Sequence, residues 1–90
     1  MILADFIVFN ANGLYCPYGD FYLDAKQPVH QSVISHAHGD HAVGGSTNGY
    51  CTAATAAFML LRIGKTAAKV FYHVAFNQPF VIGGVSITFI

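Results

Sequence analysis

Charged residues are scarce in this chain of 90 residues. They make up 9% of the sequence, against roughly a quarter in ordinary soluble domains, and neither glutamate nor tryptophan occurs. Hydrophobic residues reach 54% and the formal net charge is zero, so the composition shows no basic surface for nucleic acid. A composition this apolar indicates that the chain is part of a larger fold, although a compact and very apolar small domain would have the same composition.

The sequence also lacks the marks of secretion and of membrane insertion. Its two cysteines, Cys16 and Cys51, are too few for a disulfide framework and form no Cys-x-x-Cys motif. We expect free buried thiols in a reducing compartment, with a metal-binding role for either cysteine as the alternative. The first residues carry no basic segment, and the longest apolar stretch, around residues 53–61, is too short to cross a bilayer. A cytoplasmic protein without a membrane partner is therefore expected.

Turn signals and apolar runs predict a mixed α+β fold of mostly strands with one main helix. Thr52 is the candidate N-cap of a helical segment that runs to Arg62, and Gly64 follows as a stop signal. Gly83 and Gly84 separate two apolar runs, which is a strong hairpin signal. Strands are expected at 6–9, 21–24, 32–35, 50–51, 69–73, 79–82 and 85–89, with an irregular segment at 15–19.

Three of the four basic residues are clustered near the end of the predicted helix. They are Arg62, Lys65 and Lys69. Positive side chains at a helix C-terminus complement the helix dipole, and this is the favoured interpretation. Contact with phosphate groups is the alternative.

The densest group of potential ligands is residues 36–41, which read His-Ala-His-Gly-Asp-His and follow directly on the buried strand 32–35. Imidazole and carboxylate are ligands that zinc accepts. His36 and His38 are two residues apart, so both imidazoles point the same way in an extended segment and can reach one metal. Asp40 and His41 follow a glycine at which the backbone can turn toward a second ion. The spacing therefore favours two neighbouring metal ions over a solvated loop without metal.

Three more titratable residues bear on this site. Asp24 ends the strand 21–24, and we expect its carboxylate to orient the ligand imidazoles, with a turn or capping role as the alternative. His73 ends a later apolar strand and is interpreted as structural. His30 is interpreted as part of a surface loop.

The hexapeptide matches the His-x-His-x-Asp-His signature of the metallo-β-lactamase fold. Further segments extend the likeness: 13–17 (GLYCP), 19–24 (GDFYLD), 28–29 (PV) and 60–64 (LLRIG). Together with the hexapeptide they resemble a bacterial branch of that superfamily, the ligase-associated DNA exonucleases and the messenger-RNA 3′-end-processing exonuclease-like proteins. The likeness covers nearly the whole chain. The hexapeptide is highly specific for the superfamily and less so for the branch.

This resemblance implies the N-terminal part of an αββα sandwich and a hydrolase with two zinc ions, or with manganese in their place. By position, His36 and His38 would bind the first ion, and Asp40 and His41 the second. Asp40 would lie close to the attacking water as the catalytic residue, and Asp24 would orient the ligands. The implied substrate is DNA or RNA, cleaved at phosphodiester bonds by an exonuclease-like enzyme of DNA repair or RNA processing.

The resemblance also implies ligands that this chain does not contain, namely a further histidine, a bridging aspartate and a final histidine. No histidine or aspartate follows His73. We therefore expect residues 1–90 to be a partial metallo-β-lactamase-like domain that is inactive alone, although its parent is a hydrolase. Two alternatives stay open. One is a catalytically incompetent fragment that forms homo-oligomers through exposed strand edges, and the other is a hydrolase of small esters, thioesters or lactones on the same fold.

Overall fold

The computed structural model describes residues 6–35 and 43–90. Within these ranges the predicted mixed α+β fold of mostly strands is confirmed, with eight strands and one helix. The elements are β1 (Val8–Asn10), β2 (Gly13–Cys16), β3 (Phe21–Leu23), β4 (Gln31–Val33), β5 (Ser46–Cys51), α1 (Ala53–Arg62), β6 (Ala68–His73), β7 (Phe80–Ile82) and β8 (Val85–Ile87). The hexapeptide at 36–41 lies outside the described residues.

Six strands form one sheet in the order β1-β2-β3-β4-β5-β6. The first three pair antiparallel, whereas β3, β4, β5 and β6 pair parallel. In the parallel part Leu23 is opposite Val33, Val33 is opposite Tyr50, and Tyr50 is opposite Tyr72. The C-terminal ends of β3 to β6 therefore lie side by side along one edge of the sheet, which we call the carboxyl edge.

Helix α1 connects β5 to β6 and has the cap that the sequence predicts. Thr52 has an extended backbone, and its Oγ1 accepts a hydrogen bond from the Thr55 amide at 3.3 Å. This satisfies one of the amides that a helix N-terminus leaves without an intrahelical partner. Gly64 follows the helix end with a φ of 93°, a left-handed conformation that glycine adopts without steric cost.

The helix packs on one face of the sheet and forms what we call the helix-side core. Its fully buried members are Ile34, Cys51, Ala56, Met59 and Ala67, with Ile63 and Phe71 packed against them. Because side chains alternate across a strand, the residues that precede Ile34 and Cys51 belong to the opposite face.

The hairpin of β7 and β8 covers that opposite face, and the predicted hairpin is confirmed. Gly83 and Gly84 have φ values of 55° and 86°, as a two-residue turn of type I′ requires. A Cβ atom on Gly83 would lie 2.6 Å from the Gly19 carbonyl oxygen, so the turn needs glycine for space as well. The hairpin-side core, as we call it, comprises Cys16, Phe21, Val33 and Ile82, with seven partly buried hydrophobic residues around them.

Two sequence-based predictions of strands need correction. The segment 15–19 was expected to be irregular, but Tyr15 and Cys16 belong to β2, where they pair with Tyr22 and Phe21 of β3. Pro17 ends that strand, as expected for a residue without an amide donor. The brief strand expected at 50–51 is the six-residue β5, whose polar residues are held in place by backbone pairing to β4 and β6 on both sides.

The prediction of two free, buried cysteines is confirmed: Cys16 and Cys51 are unpaired, and each has no exposed surface. In the part of the chain that the structure describes, no helix combines the length and the apolar character needed to cross a membrane.

Candidate metal centre

The carboxyl edge of the sheet brings together residues that lie far apart in the sequence. Asp24 follows β3, Ser35 lies two residues beyond β4, and His73 ends β6 opposite Cys51. In open parallel sheets, ligands bind at the carboxyl ends of the strands. The hexapeptide continues directly from Ser35, so the chain enters it at this edge.

Asp24 hydrogen-bonds to Ser35, the residue that directly precedes the hexapeptide. Its Oδ1 accepts a hydrogen bond from the Ser35 amide at 2.7 Å, and its Oδ2 accepts one from the Ser35 hydroxyl at 2.6 Å. The Asp24 amide in turn donates to the Val33 carbonyl at 2.8 Å. Both carboxylate oxygens therefore fix the position of Ser35 relative to β3 and β4.

The backbone of Asp24 is also unusual. Its φ of 49° lies in the left-handed region, which costs a residue with a Cβ atom about 1 kcal/mol or more. Aspartate is among the residues that tolerate this region best. Strained residues of this kind cluster at functional sites, where surrounding contacts hold them, and the two hydrogen bonds to Ser35 are such contacts.

The four predicted metal ligands lie outside the described residues: His36, His38, Asp40 and His41. The predicted contact of Asp24 with these imidazoles therefore stays a prediction. Within residues 6–35 and 43–90, no group of three or more histidine, cysteine, aspartate or glutamate side chains is arranged to hold a metal ion.

The remaining histidines lie at opposite edges of the sheet. His73 is exposed at the carboxyl edge, at the end of β6, two strands away from β4. His30 is exposed just before β4 begins, at the other edge, where its carbonyl accepts a hydrogen bond from the Asn48 amide at 2.9 Å. His30 therefore fits the predicted surface loop and provides a control histidine at the opposite edge of the sheet from Ser35.

Cys51 is poorly suited to bind a metal, although it lies at the carboxyl edge. Burial raises the pKa of its thiol to about 11. Because the thiolate is the form that binds metals, a thiol that stays protonated at neutral pH is a weak ligand. Its packing in the helix-side core accounts for its presence.

The three clustered basic residues are separated from the carboxyl edge. Arg62 lies in the last turn of α1, where a positive charge complements the helix dipole as predicted. Lys65 and Lys69 line a cavity of about 390 Å³ beside the first residues of β5 and β6. That cavity lies at the amino ends of the parallel strands, opposite the carboxyl edge where Ser35 lies.

A row of aromatic rings, which sequence reasoning missed, runs from β6 to the carboxyl edge. Tyr72 and Tyr50 stack at 4.7 Å between centroids, and Tyr50 and Phe80 stack at 5.9 Å. Phe80 contacts Phe89 at 5.9 Å, and Phe89 contacts Phe76 edge-on at 6.4 Å. The five residues come from β5, β6, β7 and the segments that follow β6 and β8, so only the folded register brings them together.

The aromatic row ends at a small cavity beside Ser35. The cavity has a volume of about 230 Å³ and is lined by Ser35, Phe76, Thr88, Phe89 and Ile90. Ser35, which lines this cavity, directly precedes His36 in the sequence. The high aromatic content of the sequence, 14%, is the one signal that could have drawn attention to such a surface.

Comparison with known proteins gives one informative similarity. The chain is 41% identical over 68 residues to a protein named probable DNA ligase from Opitutus terrae. The aligned part covers 76% of this chain and 6% of that protein, so the chain spans a small fraction of the relative's length. No protein-family model matches the chain. No solved structure matches it either.

Proposed function

We propose that the chain belongs to a metal-dependent hydrolase of the metallo-β-lactamase fold that cleaves phosphodiester bonds in nucleic acid. The observation that carries this proposal is the pair of hydrogen bonds by which Asp24 fixes Ser35 at the point where the ligand-rich hexapeptide begins. The similarity to a protein named probable DNA ligase supports nucleic acid, and DNA in particular, as the partner.

The residues of the hexapeptide suit zinc because imidazole and carboxylate are among its preferred ligands. His36 and His38 would hold one ion, and Asp40 and His41 a second, with Asp40 orienting the attacking water. When bound, the two ions would supply an acidified water and polarise the scissile phosphate. Asp24 would keep the start of this segment in place through Ser35, in the manner of residues that support metal ligands from behind.

Metal binding by the chain itself is the first test. We expect isothermal titration to give zinc binding that His38→Ala weakens by at least tenfold. His30→Ala is the matched control, because His30 lies at the opposite edge of the sheet, and it should bind zinc like the unchanged chain. Equal zinc affinity in the His38→Ala variant and the unchanged chain would contradict the proposed site.

The role of Asp24 is tested by the same titration. Loss of a residue that supports metal ligands typically lowers metal affinity about 10- to 100-fold, and we expect this of Asp24→Ala. Asp20 is a matched control, since it also has a positive φ, of 55°, but its carboxylate accepts a hydrogen bond from the Tyr15 hydroxyl. Asp20→Ala should leave zinc affinity unchanged. A similar loss in both variants would assign the effect to general destabilisation.

Cleavage is tested on a longer protein that carries this chain, with single-stranded DNA and RNA as substrates and zinc or manganese added. We expect His38→Ala to abolish cleavage. Equal cleavage by both forms would refute the nuclease proposal. Hydrolysis of small esters, thioesters or lactones in place of nucleic acid would favour the alternative hydrolase.

Self-association is a second candidate role for the chain, because two apolar surfaces are exposed. Among the described strands, β6 is hydrogen-bonded on one side, to β5, and its Val70 is exposed. Leu60 and Leu61 are exposed on the outer face of α1. Exposed strand edges promote pairing between chains. Light scattering tests this role: we expect Val70→Lys to shift an oligomer toward monomer, and a monomer in the unchanged chain would exclude it.

A further inference from the structure

We propose that the cavity lined by Ser35, Phe76, Thr88 and Phe89 binds one nucleobase of a single-stranded nucleic acid by stacking on Phe76; this inference rests on the proposed function. Phe76 is 59% exposed, although it is a large apolar side chain. An exposed aromatic ring at the mouth of a cavity is the feature on which proteins stack unpaired bases.

The ring of Phe76 is held in a defined position. Phe76 and Phe89 form an isolated parallel β-bridge, and the Asn77 amide donates to the Phe89 carbonyl at 2.7 Å. Phe89 contacts Phe76 edge-on and is itself braced by Phe80, the next ring of the aromatic row. A ring fixed by backbone bonds and by its neighbour loses little conformational freedom when a base stacks on it.

Size and charge favour a base over other parts of a nucleic acid. The volume of about 230 Å³ is below the range of roughly 300–1,000 Å³ typical of pockets for drug-sized ligands, so it suits a single ring system. None of the lining side chains is charged, which disfavours a phosphate. Thr88 adds a hydroxyl group, which can hydrogen-bond to the edge of a base, whereas the Ser35 hydroxyl donates to Asp24.

The position of the cavity connects it to the proposed chemistry. Ser35 lines the cavity and directly precedes His36 in the sequence, so a base bound there lies beside the residue from which the chain continues into the hexapeptide. Stacking tolerates every base, since each has a π-face. The inference therefore assigns a single-stranded substrate with little sequence preference.

The test measures binding without metal, so that it does not depend on cleavage. Fluorescence anisotropy in EDTA compares an oligothymidylate with an oligonucleotide of equal length built from abasic sites. Loss of one stacked base corresponds to roughly 5- to 150-fold weaker binding. We expect a loss in this range for oligothymidylate with Phe76→Ala, no change for the abasic strand, and retained binding with Phe76→Trp.

Phe58→Ala is the matched control, because Phe58 is similarly exposed, at 64%, but lies on α1. It should bind both strands like the unchanged chain. Unchanged oligothymidylate binding by Phe76→Ala would overturn the inference, and so would an equal loss on the abasic strand. A shift from dimer to monomer in Phe76→Ala, seen by light scattering, would mean that the cavity takes a second copy of the chain, which also overturns it.

The two proposals fail in different ways. If Phe76→Ala binds oligothymidylate normally while His38→Ala abolishes cleavage in the longer protein, the stacking site is wrong and the nuclease proposal stands. If binding depends on Phe76 while His38→Ala cleaves normally, the stacking site stands and the metal-dependent nuclease proposal is wrong.

Discussion

The two faces of the sheet are built differently. The helix-side core has five buried residues, among them Met59, whose side chain has no exposed surface. The hairpin-side core has four buried residues and is surrounded by aromatic and aliphatic side chains that stay partly exposed. The first face packs as a closed interior, whereas the second leaves the rings of Tyr72 and Phe76 exposed. Stability and binding are thus assigned to different faces.

Truncating the helix-side core should have the largest effect. Met59→Ala removes a side chain with 0% exposure, and such substitutions cost about 2–5 kcal/mol because they leave a cavity. We expect the free energy of unfolding in urea to fall by about 3 kcal/mol. Leu61→Ala on the same helix is the control, since Leu61 is 85% exposed, and it should change that value by less than about 0.5 kcal/mol. Similar losses in both variants would show that the outer face of α1 is also covered.

Disturbing the hairpin turn should have the next largest effect. Gly83→Ala places a Cβ atom 2.6 Å from the Gly19 carbonyl oxygen and forces an alanine into the left-handed conformation. We therefore expect the free energy of unfolding to fall by about 2 kcal/mol. Gly84→Ala has the left-handed penalty but no atom within 4 Å of the new Cβ, so about 1 kcal/mol is expected. Urea unfolding of both variants measures the difference. Equal losses would mean that the new Cβ atom at position 83 does not clash with Gly19.

Removing the N-cap of α1 should destabilise the protein less than Gly83→Ala does. Thr52→Ala deletes the hydroxyl that accepts from the Thr55 amide, and such caps contribute about 1 kcal/mol. Thr52→Ser retains the hydroxyl and should restore most of that stability. Thermal unfolding followed by circular dichroism checks both variants, and a Thr52→Ser protein as unstable as Thr52→Ala would indicate that packing of the methyl group, not the cap, is responsible.

The elements that were predicted correctly are those with local signals. The helix has a threonine cap and a glycine stop, and the hairpin has two glycines whose conformation most other residues avoid. Strand β5 was underestimated because Ser46, Thr47, Asn48 and Gly49 carry no strand signal of their own. Pairing with β4 and β6 decides their conformation, and that information lies elsewhere in the chain.

The same distinction between local and long-range information applies to the candidate site. The hexapeptide is recognisable because its potential ligands lie close together in sequence, and Asp24 was singled out because it ends a predicted strand before them. The partner of Asp24 could not be foreseen in detail, since its bonds to Ser35 depend on the parallel register of β3 and β4. The same holds for Phe76, whose contact with Phe89 joins residues 13 positions apart through a backbone bridge.

Each core contains one cysteine, so thiol labelling compares the two faces directly. Cys16 belongs to the hairpin-side core and Cys51 to the helix-side core, and neither has exposed surface. We expect Ellman's reagent to modify Cys16 faster, in single-cysteine variants made by serine substitution, because a partly exposed core opens locally more often. Faster modification of Cys51 would indicate that the helix-side core, and not the hairpin-side core, opens more often.

The pH dependence of stability tests the burial of Cys51 in the helix-side core. Burial raises its pKa from 9.0 to about 11, so the folded state favours the neutral thiol. The resulting stabilisation is complete below pH 9 and is lost as the pH rises through about 11, since the unfolded chain ionises first. Urea unfolding of the unchanged chain should therefore show stability falling between these pH values, and Cys51→Ala should show a smaller fall. The same fall in both proteins would mean that other groups cause the alkaline loss.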